Sequence, residues 1–581
     1  MNVIGAFNDT MMAALATCGV DRKDLTLSAV SLERPKSAVH GELATNAAIV
    51  CAKYLNRTPR EVAEQLKIQL ETDERIKSIE IAGPGFLNFV FKPGFWTENL
   101  RATISLGQGY GRSQKGEGRR VLLEFVSANP TGPLHVGHAR GAIFGDALAR
   151  LLEFTGYQVF REYYLNDGGA QVDTLGRSVY LRYLEAIGYK VELTNEHYGG
   201  TYLKEVGESL AGRFGEKFVN QPESVWLAEF KRFAIDRMVA CIRQDLAQLN
   251  VQMDTFFSET TLIDSGAIEQ TLDELRRRGL IYEGVLPPPK GAIQEDWEPR
   301  EQALFRSTLH GDDVDRPVLK ADGSWTYFAA DLAYHYNKVT RGFDELINVF
   351  GADHGGYVKR IRAAVSALSE GKTPIDIKLT QLVRVIKDGG AQKMSKRAGE
   401  FVQLREAVEA VGTDVTRFTM LMRKNDAQLD FDFDKVREQS KDNPVFYVQY
   451  AHARICSALA YAVELGMIVD SDDNSLKMAD LSLLIHPAQI ALARRVSEWP
   501  RIVDQASRHH EPHRIAFYLN ELASDLHSYW TLGNREKQLR LIQEEDAEGT
   551  KARLTLVRAV AVVISTGLGI LGVKPMTEMR D

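Results

Sequence analysis

The sequence predicts a multidomain α/β-plus-α chain: a small α+β module first, a parallel-sheet domain next and an all-α bundle last. Three observations predict it. At Val121–Val126 a strand of buried character runs into a glycine-bearing turn, a long helical pattern and a second strand, the β–turn–α–β unit of parallel sheets. Before it, helical spacings and two strand-like runs follow one another. Beyond about Thr416 the period is helical almost throughout.

In order along the chain, Ala47, Ile49, Val50, Ala52, Tyr54 and Leu55 recur at helical spacing, and after Thr58-Pro59 a second helix is expected from Arg60 to about Glu71. Ser78–Ile81 alternates like a strand, Gly83-Pro84-Gly85 turns the chain, and Phe86–Phe91 forms the return strand. The stretch from Gly107 to Arg120, rich in glycine and charge, reads as a linker. The β–turn–α–β unit then uses Val121–Val126, a helix from about Ala139 to Phe154, and Tyr157–Tyr163. Residues 170–280 read as mostly helical, and further strands are expected at Glu345–Gly351 and over Lys378–Ile386.

The composition bounds the function. Lys plus Arg number 71 and Asp plus Glu 78, so the net charge over 581 residues is −7. That excludes neutralisation of nucleic acid by bulk charge but leaves local basic faces open. Cys18, Cys51, Cys241 and Cys456 lie far apart with no C-x-x-C pair, which predicts free thiols, no zinc site and a reducing cytoplasm. The start, with an early Asp9 and no basic run, is a poor signal peptide. The apolar Ala559–Val573 stretch falls short of the roughly 20 residues that span a bilayer and is expected to be a buried helix.

No Walker A sequence is present. Pro133-Leu134-His135-Val136-Gly137-His138 lies between the first strand and first helix of the β–α–β unit, where a parallel sheet places its ligands. Two imidazoles at a helix start can face one phosphate chain, and Gly137 leaves room for a purine against backbone. By composition alone H-x-G-H is expected about 0.02 times in such a chain. Downstream, Lys387-Asp388-Gly389-Gly390-Ala391-Gln392-Lys393-Met394-Ser395-Lys396-Arg397 reads either as a solvated basic loop or as a cationic clamp for a triphosphate whose charge grows as pyrophosphate leaves.

H-x-G-H followed by K-M-S-K-R resembles the signature pair of class I aminoacyl-tRNA synthetases, with a Rossmann-type parallel-sheet catalytic domain. Glu124–Pro130, Asn166–Gln171, Gly351-Ala352-Asp353-His354 and Tyr447–Arg454 resemble the arginyl-tRNA synthetase family in particular, over essentially the whole chain. The resemblance implies a tRNA-corner module at 1–112, a catalytic domain at 118–375 with a helical insertion at about 175–255, a K-M-S-K and stem-contact region at 376–440, and an anticodon-binding bundle at 441–581. It implies that His135, His138, Gly137, Gly351, Asp353, Lys393, Met394, Ser395 and Lys396 bind ATP, with His135, His138, Lys393 and Lys396 serving catalysis. Glu124, Ser127, Asn129, Glu259, Tyr327, Asp331 and His354 would bind arginine. A guanidinium offers five donors and keeps its charge, so an acidic pocket suits it, and Tyr327 precedes Asp331 by four residues on one helical face.

For RNA the resemblance implies Tyr447, Tyr450, Arg454, Tyr518 and Met579 at the anticodon, and Phe86 and Asn88 at the D-loop corner. Read from the sequence alone, the tyrosines fit a core stripe as well as an exposed face, and Phe86 fits burial as well as exposure. Arg580 and Asp581 follow Met579. Some family members carry a lysine three residues before the histidine signature together with a degenerate lysine loop. Here that position is Gly132 and K-M-S-K is intact, so the downstream lysines are expected to meet the phosphates. The expected partners are ATP with Mg²⁺, L-arginine and tRNA(Arg), with a monomer acting in the cytoplasm and no membrane. A synthetase for cysteine or a branched aliphatic amino acid, a silent RNA-binding paralogue and a small-molecule nucleotidylyltransferase are the competing readings. The acidic pocket opposes the first, the intact signatures the second and the long helical C-terminal region the third.

Overall fold

The computed structural model describes residues 3–20, 30–35, 37–286, 300–387, 389–392, 401–438, 443–470 and 474–579. The N-terminal module is an antiparallel sheet of β1 (Leu32–Glu33), β2 (Leu43–Thr45), β3 (Ile76–Ala82) and β4 (Phe86–Phe91), in the order β1-β2-β4-β3. The helices Val3–Thr17, Ala47–Leu55 and Pro59–Leu70 accompany it. The last starts one residue earlier than expected because Thr58 and Glu61 form a capping box ahead of Pro59. Phe7 packs edge-on to Phe89 and Phe91 with centroids 5.1 and 4.9 Å away.

The glycine-rich stretch after Gly107 is a packed joint where a free linker was expected. Tyr110 is buried, its hydroxyl accepts from Asn99 at 2.6 Å, and its carbonyl accepts from Trp499 Nε1 of the C-terminal bundle at 2.9 Å. Gly111, at φ 87°, lies where a Cβ would meet that indole at 2.5 Å, so only glycine fits.

The central sheet contains β5 (Arg120–Glu124), β6 (Gln158–Leu165), β7 (Thr255–Ser258), β11 (Glu345–Gly351) and β12 (Ile375–Thr380). They are all parallel, in the order β12-β11-β5-β6-β7. The chain moves one way from β5 and returns on the other side with β11, so the order reverses between β5 and β11. Ligands of such sheets bind at the carboxyl ends of the strands at this switch point. Between β6 and β7 an excursion of three helices, Ala170–Ala186, Tyr202–Phe214 and Glu223–Gln248, builds its own core around Leu175, Val179, Tyr183 and Phe230. A small antiparallel ribbon, β8 (Ile281–Val285), β9 (Glu301–Phe305) and β10 (Arg316–Pro317), precedes the helix Tyr327–Thr340.

The single strand expected over Lys378–Ile386 is two strands in two sheets. β12 ends at Thr380, and β13 (Val383–Lys387) pairs with β14 (Gly390–Ala391) and β15 (Leu429–Asp432). The break falls at Gln381, whose N–H leaves the sheet to bond Asn425 O at 2.8 Å, and at exposed Leu382. The C-terminal bundle contains Pro444–Glu464, Pro487–His509, His513–Arg535 and Ala547–Leu571. The segment Ala547–Ile570 has the length and apolarity of a membrane span, yet 83% of its most apolar window is buried inside the protein. It is the core helix of the bundle.

Candidate active site

β5 ends at Glu124, and the chain then turns through Val126 at φ 71° and Ser127 at φ 40°. A β-branched residue in the left-handed region is strained, by about 1–3 kcal/mol. The turn aims Ser127 back at the sheet: its hydroxyl donates to Glu124 Oε1 at 3.0 Å and accepts from Tyr164 N–H at 3.1 Å. Asn129 donates to Gln171 Oε1 at 2.8 Å, joining two of the segments singled out in the sequence.

The helix Val136–Phe154 starts three residues before the periodicity suggested, because His135 and His138 cap it. The His135 N–H donates to His138 Nδ1 at 3.2 Å, and the rings stack with centroids 3.7 Å apart and planes 21° from parallel. A Cβ on Gly137 would come within 2.8 Å of His135 Cε1, so the glycine also lets this imidazole lie over the first helical turn. Both rings therefore occupy the positive end of a 19-residue helix. The segment after the lysine loop is stitched to this turn. Val136 N–H donates to Val402 O at 3.2 Å, Leu404 N–H donates to Leu134 O at 2.8 Å, and Phe401 lies 6.0 Å from the His135 ring. Lys393, Met394, Ser395 and Lys396 lie outside the described residues.

Next to the histidine turn the structure gathers acid. Asp331 on the helix Tyr327–Thr340 is pushed up to about 7 by burial and by the Glu124 and Glu259 carboxylates, against the pull of Arg360 and Lys338. Glu259 is also raised, by burial and by Asp167, against the pull of a hydrogen bond from the Tyr164 side chain. Tyr164 is raised by burial and then by Glu259, Asp331, Glu124 and Asp167, which places these carboxylates around one phenol. Asp167 itself is spent on local structure, accepting from Thr260 N–H at 3.0 Å and Ser258 Oγ at 2.6 Å.

Glu124 is neutralised internally. Lys338 Nζ donates to its Oε2 at 2.5 Å and to Asn348 Oδ1 at 3.0 Å. The Asn348 amide reaches His335 Nε2 at 3.0 Å, and His335 Nδ1 bonds Asp331 O at 2.8 Å. Burial, and then Lys338, holds His335 down at about 3, so this imidazole is neutral. The sequence reading missed His335 and Lys338. Their signal was their position at i+4 and i+7 from Asp331, on the same helical face.

Not every expected pocket residue converges equally. Tyr327 starts its helix and is 76% exposed. Gly351 ends β11, and Asp353 and His354 follow in the 3₁₀ helix Ala352–Tyr357 with exposed side chains, His354 Nε2 lying 3.5 Å from Asp353 Oδ2. They flank the switch point on the side opposite the histidine turn.

In the bundle, the Arg454 guanidinium lies 4.2 Å from the Trp530 ring and 5.8 Å from the Tyr450 ring, while Tyr450 stacks at 6.0 Å on Phe446. Tyr447 is half-buried against His527, 4.5 Å between centroids. Arg454, Tyr461 and Trp530 line a cavity of about 470 Å³. Two expected RNA contacts are corrected by burial. Tyr518 is 3% exposed, its hydroxyl donating to Arg495 O at 2.6 Å, because it lies on the apolar stripe of Ile515, Leu519 and Leu522. Asn88 is 5% exposed in the middle of β4, between Ala44 and Glu80 on the paired strands, whereas Phe86 at the strand end is 41% exposed. Met579 is the last described residue, and Arg580 and Asp581 lie outside the described set.

A histidine-capped helix at the switch point of a parallel sheet, tied to the segment that follows a K-M-S-K sequence, defines a class I aminoacyl-tRNA synthetase. The family described as "tRNA synthetases class I (R), catalytic domain" matches residues 100–455. "Arginyl tRNA synthetase N terminal domain" matches 6–91, and "DALR anticodon binding domain" matches 448–579. The arginine–tRNA ligase of Ruegeria pomeroyi is 59% identical over 556 residues, 96% of this chain and 95% of that protein. That of Paracoccus denitrificans is 58% identical over 578 residues, 100% of this chain and 98% of that protein. The solved arginyl-tRNA synthetase of Thermus thermophilus shares the fold with a TM-score of 0.72 at 21% identity, covering 99% of each chain. The chain belongs to the arginyl-tRNA synthetase family.

Proposed function

We propose that the residues at the switch point carry out arginine activation and transfer in the following roles. The enzyme ligates L-arginine to the 3′-terminal ribose of tRNA(Arg) through arginyl-adenylate, consuming ATP and releasing AMP and pyrophosphate. Glu259 and Asp331 receive the guanidinium. Glu124, held by Lys338, fixes Ser127, which with Asn129 and His354 orients the ammonium and carboxylate end. The arginine carboxylate then attacks the α-phosphorus of ATP in line. His135 and His138 hold phosphates at the helix terminus, while Gly137, Gly351 and Asp353 accommodate the nucleoside. Lys393 and Lys396 meet the charge that develops on the leaving pyrophosphate, with Met394 and Ser395 completing their loop. Catalysis is positioning and charge stabilisation, without a covalent enzyme intermediate. Mg²⁺ arrives with ATP as part of the substrate, and no resident zinc takes part.

The observation that carries this reading is the surplus of negative charge beside the histidine turn, with Asp331 raised to about 7 by burial and two other carboxylates. An acidic pocket that Lys338 and Arg360 compensate only in part suits a ligand that brings a permanent cation. On the RNA side, Phe86 meets the tRNA corner, and Tyr447, Tyr450, Arg454 and Met579 form the anticodon face. The chain acts as a monomer, as the family resemblance implies, and in the cytoplasm, a reading supported by its four free cysteines.

Arginine-dependent pyrophosphate exchange, run with and without tRNA(Arg), tests the scheme. Exchange is expected with arginine alone among the amino acids and only when tRNA is present. Full-rate exchange without tRNA overturns the second expectation. Lys393→Ala and Lys396→Ala are each expected to lower exchange more than about tenfold, and near-normal exchange in both removes the lysines from the phosphate site.

A further inference from the structure

Behind the stacked histidines, the insertion helix Glu223–Gln248 ends against both segments of the signature ladder. Asp245 Oδ2 accepts from Leu134 N–H at 2.9 Å, and Oδ1 of the same carboxylate accepts from the Arg405 guanidinium at 2.9 Å. Leu134 directly precedes His135, and Arg405 directly follows Leu404, whose N–H bonds Leu134 O. Asp245 and Leu134 are fully buried. Cys241, one turn earlier on the helix, takes a second contact from the same guanidinium, 2.7 Å from its Sγ.

The end of this helix is itself immobilised. Thr413 Oγ1 donates to Gln248 O at 2.8 Å, Arg417 to Leu249 O at 2.6 Å, and Arg150 to Asn250 O at 3.0 Å. Arg417 is buried on Asp146 of the histidine-capped helix, 2.5 Å away. The carboxylate therefore projects from a fixed point.

We propose that Asp245 is a positioning residue for the ATP phosphates: it locks the turn bearing His135 and His138 to the segment that follows the lysine loop, and Arg405 is the second half of the lock. The inference rests on the reading of those histidines as phosphate ligands. Two backbone hydrogen bonds fix the spacing of the ladder but leave it free to twist about their axis. A buried carboxylate that takes a backbone N–H from one segment and a cation from the other removes that freedom, and charge-assisted bonds are the strong ones. A helix terminus that binds phosphate by geometry loses affinity when its angle drifts. The insertion, whose own core lies away from the sheet, thereby contributes to the chemistry through one side chain.

The test uses the full-length enzyme with saturating tRNA, following pyrophosphate exchange while ATP and arginine are varied separately. Arg405→Gln is the primary variant, because its side chain is 34% exposed and its loss leaves the fold standing. Asp245→Asn keeps the size and the carbonyl acceptor. Each is expected to raise KM for ATP about tenfold, with KM for arginine within about twofold. The double variant is expected to be no worse than Asp245→Asn alone, and Arg405→Lys to recover part of the loss. His138→Ala is measured in parallel. Loss of ATP affinity in His138→Ala with none in Arg405→Gln and Asp245→Asn overturns the lock and leaves the phosphate site standing. An unchanged His138→Ala overturns both. An equal rise in KM for arginine and ATP, or strictly additive effects in the double variant, assigns the pair to general structure and overturns the proposal.

Discussion

The amino-acid end of the catalytic domain and the exposed rib of the C-terminal bundle solve recognition in opposite ways. At the first, Glu124, Glu259 and Asp331 are brought together with one buried internal cation, Lys338; burial, and then neighbouring carboxylates, raise Asp331 and Glu259. At the second, Phe446, Tyr450, Trp530 and Arg454 form a row of ring faces with a guanidinium among them, and charge is incidental. The acidic site holds desolvated carboxylates that take up a proton or receive a cationic ligand. The aromatic rib offers ring faces to any base that unstacks. A net charge of −7 is thus compatible with an RNA substrate if, as proposed above, part of the acidity serves the amino acid and the RNA side relies on rings.

The largest effect is expected at the acidic site. Asp331→Asn removes one of the two proposed guanidinium partners and is expected to raise KM for arginine by about 100-fold, the usual consequence of breaking a desolvated charge pair. The same change is expected not to lower thermal stability. A carboxyl raised from 3.8 to about 7 holds a proton in the folded state that the unfolded chain has already released, so stability falls as pH rises through that interval. Asparagine abolishes that slope, and the variant is expected to melt at or above the parent at pH 8. Arginine binding has the opposite pH dependence. It requires the ionised pair, so affinity is expected to be about tenfold weaker at pH 6 than at pH 8, with the midpoint belonging to Asp331 and Glu259 jointly. A flat arginine affinity between pH 6 and 8, measured by calorimetry, contradicts this account.

The contrast also explains what could be read from the sequence. The strand–turn–helix with His135 and His138 was legible because local chemistry creates it: a buried strand, a glycine and a helix start. The acidic pocket was legible only through family resemblance, since Glu124, Glu259 and Asp331 are about 207 residues apart at the extremes and meet through sheet order. β7 escaped because four residues, Thr255–Ser258, leave no periodic run, and β12 and β13 merged because the break at Gln381 and Leu382 contains neither glycine nor proline. Asp245 acts through hydrogen bonds to distant segments, a relation that no local pattern encodes.

At the aromatic rib the expected effect is smaller and differently distributed. Tyr450 is 40% exposed, stacks on Phe446 and lies beside Arg454, so its removal leaves the bundle core intact. Tyr450→Ala is expected to raise KM for tRNA about tenfold, the worth of one stacked base, with KM for arginine and the melting temperature unchanged. A matched rise in KM for arginine removes the distinction between the two regions.

The smallest effect sharpens the boundary between recognition surface and core. Tyr518 carries the same side chain as Tyr450 but lies inside the bundle, 5.5 Å from the Trp499 ring, with its hydroxyl on Arg495 O and burial raising its ionisation well above the ordinary range. Its period matched a buried stripe from the start, since Ile515, Leu519 and Leu522 stand at i−3, i+1 and i+4 of it. Tyr518→Phe keeps the ring and removes one hydrogen bond, leaving the Arg495 carbonyl short of a donor. The expected cost is about 1 kcal/mol of stability, read as a lower denaturation midpoint with unchanged slope, while aminoacylation KM for tRNA stays at the parent value. A tRNA defect without a loss of stability would return Tyr518 to the RNA face, and would require the bundle to open there when tRNA binds.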